Sequence, residues 1–298
     1  MRGIAIAGGL ALVLVACSSP SLPGGRVSLV ATTTVLADLA AQVAGPDAGV
    51  EALAPAGASI EDFAPKPEDA RRIADARVIL VNGLALDRWV EPLLRNASKD
   101  ARVVTLSDGL PRLGVGESAN PDINANGNPH YWFDVKYAKA YVERIRDALV
   151  TADPSHRDGY QSRASSYLGE LDRLDAEIRQ KVTQIPLARR KLVTSHDAFP
   201  YYANAYGLSV VGFIQPEEGK DPSPAELADL VELVKREQVP AIFSEAQVSP
   251  RLAETLAREA GVKTIVTDLP TDSLGPAPAD SYLGMMRVVT DKIVQALR

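Results

Sequence analysis

His130, His156 and His196 are the only imidazoles in the 298 residues, and Cys17 is the only thiol. The side chains able to ligate a transition metal through nitrogen or sulfur, or to serve as an imidazole base, are therefore few. Their settings differ. His130 stands in Asn128-Pro-His-Tyr-Trp-Phe-Asp134, at the end of a loop rich in asparagine and glycine and just before a helical run that opens at Val135. His196 follows the apolar run Lys191 to Ser195, which places it at the carboxyl end of a strand, where ligands bind in open α/β sheets. His156, in Pro-Ser-His-Arg-Asp, reads as a solvated side chain. Trp132 is expected to pack beside His130, and Met285-Met286 to lie on the apolar face of a terminal helix. Glu245, after the run Ala241 to Ser244, and Asp197, after His196, each read equally well as a support for a ligand or as a solvated charge. Glu217-Glu218 reads as an exposed loop. No His-Glu-x-x-His, Gly-x-Ser-x-Gly or Walker loop occurs. One cysteine allows neither an internal disulfide nor a multi-thiolate metal site.

The elements that must position these residues alternate. Short β-branched runs at Val27–Ala31, Val50–Leu53, Val78–Val81 and Val103–Leu106 are interleaved with helical patterns at Leu36–Ala44 and Pro67–Asp75. The rhythm restarts with strands at Lys191–Ser195, Ser209–Phe213, Pro240–Ser244 and Lys263–Thr267, and helices at Pro224–Gln238 and Arg251–Ala260. This is α/β punctuation twice over, in a chain long enough for two units. The predicted organisation is a lobe over 27–153, a connector helix over 154–185 and a lobe over 186–298. In the connector, Tyr160, Ala164, Tyr167, Leu171, Leu174, Ile178, Val182 and Ile185 recur at steps of three and four, one amphipathic face. Asp153-Pro154 is expected to open that helix, with the aspartate as cap, and Pro186 to close it. A helix of that length is about 45 Å long, which implies a rigid connector and modest closure instead of a wide hinge.

Composition excludes other classes. With 38 acidic against 32 basic residues and a net charge of −6, no basic excess exists to neutralise phosphates, so nucleic acid is not an expected partner. At the N-terminus, Met1-Arg2 and the uncharged run Ile4 to Val15 are too short to span a bilayer and read as a secretory signal over residues 1–16. Leu14-Val15-Ala16-Cys17 reads as a bacterial lipobox, with Cys17 as the lipidated first residue of the mature protein and residues 17–26 as a tether. The plainer alternative is a signal peptide with an incidental cysteine.

Several segments together carry a family resemblance. Val30-Ala-Thr-Thr-Thr-Val-Leu-Ala-Asp-Leu-Ala40, Phe63-Ala-Pro-Lys-Pro-Glu-Asp69 with Ala76-Arg-Val-Ile-Leu-Val-Asn-Gly-Leu84, and Asn128-Pro-His-Tyr-Trp-Phe-Asp134 are followed by Ser195-His-Asp-Ala-Phe-Pro-Tyr-Tyr202. Thr271-Asp-Ser-Leu-Gly275 with Ser281-Tyr-Leu-Gly-Met-Met286 closes the series. In that order, behind a lipobox and around a long central helix, they resemble the zinc/manganese solute-binding lipoproteins of bacterial ABC importers, the TroA-like or cluster 9 (cluster A-I) family. The resemblance implies two α/β lobes joined by one long rigid helix, with a metal in the interlobe cleft. One ligand comes from each of four segments: His130, His196 and Asp272 match three of them. The first departs from the pattern: where the family has Asp-Pro-His-x-Tyr-Glu-Pro, this chain has Ser59-Ile-Glu-Asp-Phe-Ala-Pro65, which puts Glu61 at the ligand position and Asp62 beside it as a competitor.

Two imidazoles and two carboxylates around a divalent cation are neutral together, and four protein ligands describe a closed site instead of the open position of catalytic zinc. The implied function is capture of one Zn²⁺ or Mn²⁺, with Fe²⁺ as a third option, and its delivery to a membrane permease with an ATPase subunit. The expected state is an extracytoplasmic monomer on a lipid anchor, in the periplasm or at the cell surface, without enzymatic activity. Two nitrogen and two oxygen donors tilt toward Mn²⁺. Against that, His196 stands where manganese-binding relatives tend to have glutamate, while loop 115–129 lacks the histidine-rich insert of many zinc members. Two other readings stay open. One is a noncatalytic adhesin or structural lipoprotein; the other is a metallohydrolase using His130, His196 and one carboxylate, with Glu61 as general base.

Overall fold

A computed structural model describes residues 26–114, 121–215, 219–246 and 248–298. The signal and lipobox readings, Cys17, most of the tether, part of loop 115–129 and Glu217-Glu218 lie outside them. In chain order the elements are β1 (Val27–Ala31), α1 (Thr34–Ala44), β2 (Ala48–Ala52), α2 (Pro67–Asp75), β3 (Val78–Val81), α3 (Glu91–Leu94), β4 (Arg102–Thr105), α4 (Pro121–Asn126) and α5 (Val135–Ala152). There follow α6 (Arg157–Val182), β5 (Lys191–Thr194), α7 (Pro200–Tyr206), β6 (Ser209–Phe213), α8 (Pro224–Arg236), β7 (Ala241–Glu245), α9 (Arg251–Ala260), β8 (Thr264–Leu269) and α10 (Tyr282–Leu297).

The first lobe is built on a parallel sheet of order β2-β1-β3-β4. Central strands of a parallel sheet are covered on both faces, so they read as unbroken apolar runs. Val78-Ile-Leu-Val81 is such a run and is buried at every position. In the second lobe β5 pairs with β6 and β7 with β8, all parallel. β5 lies alongside β7, with Ser195 Oγ 3.3 Å from Ser244 Oγ. In each lobe the connections leave the central pair in opposite directions, β1 to β2 against β3, and β5 to β6 against β7. The carboxyl ends of those pairs are therefore switch points, the crevices where open α/β sheets hold ligands.

The connector is α6, 26 residues and about 39 Å long at 1.5 Å per residue. All eight residues of the predicted apolar face are buried, seven of them in α6 and Ile185 three residues past its end, so the helix stops before Pro186. Its opening differs from the sequence expectation. Residues 154–156 form a 3₁₀ turn, and the Asp153 carboxylate does not cap the backbone. It accepts instead from Ser155 Oγ, from His156 Nδ1 at 2.6 Å and from Tyr160 OH at 2.9 Å, and those three bonds hold its pKa below the ordinary value against the upward push of burial. His156 is exposed, as expected, but tied to this carboxylate.

Both ends of α6 are fastened. At one end, Arg163 donates from Nε to Val43 O (2.8 Å) and from Nη2 to Ala44 O (2.9 Å) and Asp47 Oδ2 (2.7 Å), which satisfies the last carbonyls of α1. The guanidinium lies where a side chain on Gly45 would be: a Cβ there would come within 2.6 Å of Arg163 Nε. At the other end, Lys181 and Glu177 pair with Asp291 and Arg287 of α10 at 2.6 and 3.0 Å. One continuous core runs through β1, α1, α5, α6, α7 and α10, and smaller clusters lie on the outer side of each lobe. Met285 and Met286 belong to the continuous core, both 0% exposed, which is the packing role read from the sequence.

Candidate metal centre

His130 is placed from the switch point of the first lobe. Behind it, the buried Asp87 carboxylate accepts from Thr32 Oγ1 (2.6 Å), Asn82 N (2.6 Å) and Gly83 N (3.0 Å), knitting the ends of β1 and β3 together. Burial raises the pKa of Asp87, and these bonds oppose the rise. The Asn82 side chain then accepts from Tyr141 OH at 2.8 Å and donates to Pro129 O at 3.0 Å, immediately before His130. Asn128 completes the placement. Its Oδ1 accepts from His130 N and lies against His130 Nδ1, both at 3.0 Å, and its Nδ2 donates to Asp197 O at 2.6 Å. A carbonyl can only accept, so the amide nitrogen must face Asp197 and the oxygen must face His130. Nδ1 therefore carries the proton, and Nε2 of His130 is left unprotonated, with its lone pair available to a metal.

Aromatic rings close the seam between the lobes. Tyr131 stacks on Tyr201 with centroids 4.4 Å apart, and Phe133 lies 4.6 Å from Phe199. Trp132 sets its ring against His130 at 5.2 Å, as expected from the sequence. Its Nε1 donates to Thr271 O (3.2 Å), and its carbonyl accepts from Tyr282 OH (2.7 Å). The segments that follow the two histidines are thus packed against each other.

His196 leaves the end of β5, and Glu245 ends β7 beside it. Glu245 Oε1 accepts from His196 N at 3.1 Å, and Oε2 lies 2.5 Å from His196 Nδ1. Glu245 is fully buried, which resolves the choice the sequence left open for it. Asp197 is buried and enters through its carbonyl. Asp272 sits in the loop after β8. That loop is tied to the first lobe by Gly57 N donating to Ser273 Oγ (2.9 Å) and Leu274 N donating to Thr34 Oγ1 (2.8 Å).

These elements bring three sequence-predicted donors to one point. His130 Nε2 is 3.2 Å from His196 Nε2 and 3.3 Å from Asp272 Oδ1, and His196 Nε2 is 3.6 Å from Asp272 Oδ2. One ligand atom from each lies within 4.8 Å of the others. All three residues are at least 96% buried, at 0%, 4% and 1% exposure. Two borderline nitrogens and a hard oxygen suit a divalent transition metal.

Glu61 is partly buried, beside this triad but outside that close set. Burial raises the pKa of its carboxyl; the His196 and His130 charges oppose that, and Asp272 and Asp62 reinforce it. The turn that carries it is anchored by Trp89 Nε1 donating to Ile60 O at 2.8 Å and by Phe63 against Trp89 at 4.7 Å. Asp62 is exposed and directed at Gly219, where an added Cβ would meet its Oδ2 at 2.7 Å. Asn128, which orients His130 and joins the lobes, escaped the sequence reading. It lies within the quoted motif, but nothing local shows that its amide reaches across to Asp197.

Comparison with known proteins agrees with this architecture. The sequence profile described as "Zinc-uptake complex component A periplasmic" matches residues 29–296. The manganese-binding lipoprotein MntA of Halalkalibacterium halodurans is 33% identical over 294 residues, 97% of this chain and 95% of the relative. The iron-binding protein YfeA of Yersinia pestis is 31% identical over 281 residues, 93% and 88% of the two chains. Among solved structures, the periplasmic zinc binding protein TroA of Treponema pallidum superposes with a TM-score of 0.83 at 29% identity, over 92% of this chain and 99% of that one. The Mn-bound periplasmic metal binding protein of Candidatus Liberibacter asiaticus has a TM-score of 0.83 at 26% identity, covering 92% and 100%. The chain, with its two α/β lobes on one long helix and a buried donor triad between them, belongs to the zinc-uptake complex component A family of periplasmic, TroA-like metal-binding proteins.

Proposed function

We propose that this protein captures one divalent transition metal, Mn²⁺, Zn²⁺ or Fe²⁺, outside the cytoplasm and hands it to the permease of an ABC importer whose partner subunit hydrolyses ATP. The observation that carries the reading is the convergence of His130 from one lobe with His196 and Asp272 from the other, all buried, on a single point. Without a cation, such a cluster buries a carboxylate and bare imidazole nitrogens in mutual opposition. A bound cation turns that cost into attraction.

Its relatives are named as substrate-binding lipoproteins and metal-binding proteins, and the chain is accordingly a binding protein and not an enzyme. We assign His130, His196 and Asp272 as ligands and Glu61 as the fourth, closing the site from the turn of the first lobe. Lobes over 27–153 and 186–298, joined through 154–185, follow from the same division. In a nitrogen and oxygen site Zn²⁺ binds more tightly than Mn²⁺ by the general affinity order, so the cargo in the cell also depends on supply.

No helix among the described residues is long and apolar enough to cross a membrane. We assign membrane attachment to a lipid on Cys17 and expect a monomer. Cys17→Ser should release the protein from the membrane fraction; retention there would refute the anchor.

The capture reading is tested by elemental analysis of chelator-stripped protein re-equilibrated separately with zinc and manganese. One metal per chain, lost in His196→Ala, is expected. A wild type without tight metal would overturn the reading, and a Glu61→Ala variant that keeps its metal would remove Glu61 from the ligand set.

A further inference from the structure

Glu245 spends both carboxyl oxygens on one residue. Oε1 takes the main-chain N–H of His196 at 3.1 Å, and Oε2 faces Nδ1 of the same residue at 2.5 Å. The glutamate is 0% exposed, at the end of β7 and beside the end of β5. This is the switch point of the second lobe: Glu245 is the last residue of β7, and His196 stands two residues past the end of β5. A carboxylate has no hydrogen to give. Opposite it, Nδ1 carries the proton, and Nε2, the nitrogen that faces His130 Nε2 and Asp272 Oδ2, is the unprotonated one.

The two imidazoles therefore have unequal supports. His130 leans on the neutral amide of Asn128 and His196 on the carboxylate of Glu245. A carboxylate behind an imidazole fixes the ring orientation and raises its basicity as a ligand. We propose that Glu245 is a positioning residue that holds His196 as the Nδ1–H tautomer with Nε2 presented to the cargo in advance, making the second-lobe imidazole the stronger of the two nitrogen donors. This rests on the capture function proposed above and adds to it the residue that prepares one donor.

The isosteric change Glu245→Gln inverts the arrangement. The His196 N–H needs an oxygen opposite it, so the new amide nitrogen faces Nδ1 and donates to it. The ring proton is then driven to Nε2, the position the metal needs. Long-range proton–nitrogen NMR of metal-free, histidine-labelled protein at alkaline pH, where imidazoles are neutral, reads the tautomer directly. With three histidines in the chain, His156→Gln and His130→Asn assign the signals.

The expected result is Nδ1–H for His196 in the wild type and Nε2–H in Glu245→Gln, with zinc affinity, measured by chelator competition, lower by about 10- to 100-fold. Glu245→Asp, which keeps the carboxylate, should keep the wild-type tautomer and regain part of the affinity. An Nε2–H tautomer in the wild type would overturn the proposal. So would a Glu245→Gln protein that loses urea stability while tautomer and zinc affinity stay unchanged, the mark of a merely structural role. Because the tautomer is read without metal, the result is separable from the capture function, which fails only if the wild type binds no metal.

Discussion

Replacing Asn128 by alanine removes one small side chain and strands three polar groups. The residue is 0% exposed, and its amide serves His130 N and His130 Nδ1 at 3.0 Å each and Asp197 O at 2.6 Å. A buried polar group left without a partner costs about 1–3 kcal/mol. Water entering the vacated polar space recovers part of that cost, so the expected loss is about 3–5 kcal/mol, near the lower end of the sum. Urea unfolding of the metal-free protein measures it, with the denaturant slope as a check on two-state behaviour. Zinc affinity should fall in the same variant, by about 10- to 100-fold, because His130 loses both its orientation and its tautomer. Asn128→Asp separates the two roles of the amide. It keeps an acceptor for His130 but sets a carboxylate oxygen against the Asp197 carbonyl, a repulsion relieved when the acid takes a proton and donates to that carbonyl. The folded state thus raises the pKa of the introduced acid, and the stability of this variant relative to wild type should improve as pH falls. A loss in Asn128→Ala below about 1 kcal/mol, against the 1–3 kcal/mol expected for each stranded group, would refute the claim that this amide joins the lobes and orients His130.

Further outcomes follow from the connector and the donors. Leu171→Ala in the fully buried stripe of α6 should cost about 2–5 kcal/mol and lower a single calorimetric transition, because the core it occupies runs through both lobes; two separated transitions would show that the lobes unfold independently. Small-angle scattering should detect no compaction on metal loading comparable to hinge closure, since α6 is fastened at both ends; a large decrease in radius of gyration would contradict that. Metal at one hundred times its dissociation constant should stabilise the fold by about 2.7 kcal/mol. Metal affinity should be full where the imidazoles and the Glu61 carboxyl are deprotonated and should fall as the medium is acidified, first as the imidazoles take protons and then as Glu61 does, the latter above the ordinary carboxylate range because burial raises its pKa. Titration calorimetry across pH checks this; a pH-independent affinity would argue against imidazole ligation.

Periodicity is a local property, and what it encodes was legible in the residues alone. The eight apolar positions from Tyr160 to Ile185 announced the buried stripe of the connector, and the run Val78 to Val81 announced a strand, whose central place in a parallel sheet only the fold shows. The capping box of α8, Ser223 with Glu226 three residues on, is equally short-range, although the sequence expectation for that helix did not name it. Asp153 shows the limit: it has the type of a cap, yet three neighbouring donors claim its carboxylate. His130 and His196 stood out because imidazoles are scarce in this chain and one follows a strand. Asp272 and Glu61 were two among 38 acidic residues, visible only through family resemblance. Glu245 fell one residue beyond the expected end of its strand, and in the folded protein that residue completes β7 and meets His196. The residues of the site stand tens of residues apart in sequence, so no local pattern could specify their meeting. That meeting is specified by the order of strands at two switch points, the aromatic seam between the lobes and the helix that holds both, and these contacts exist only once the whole chain is packed.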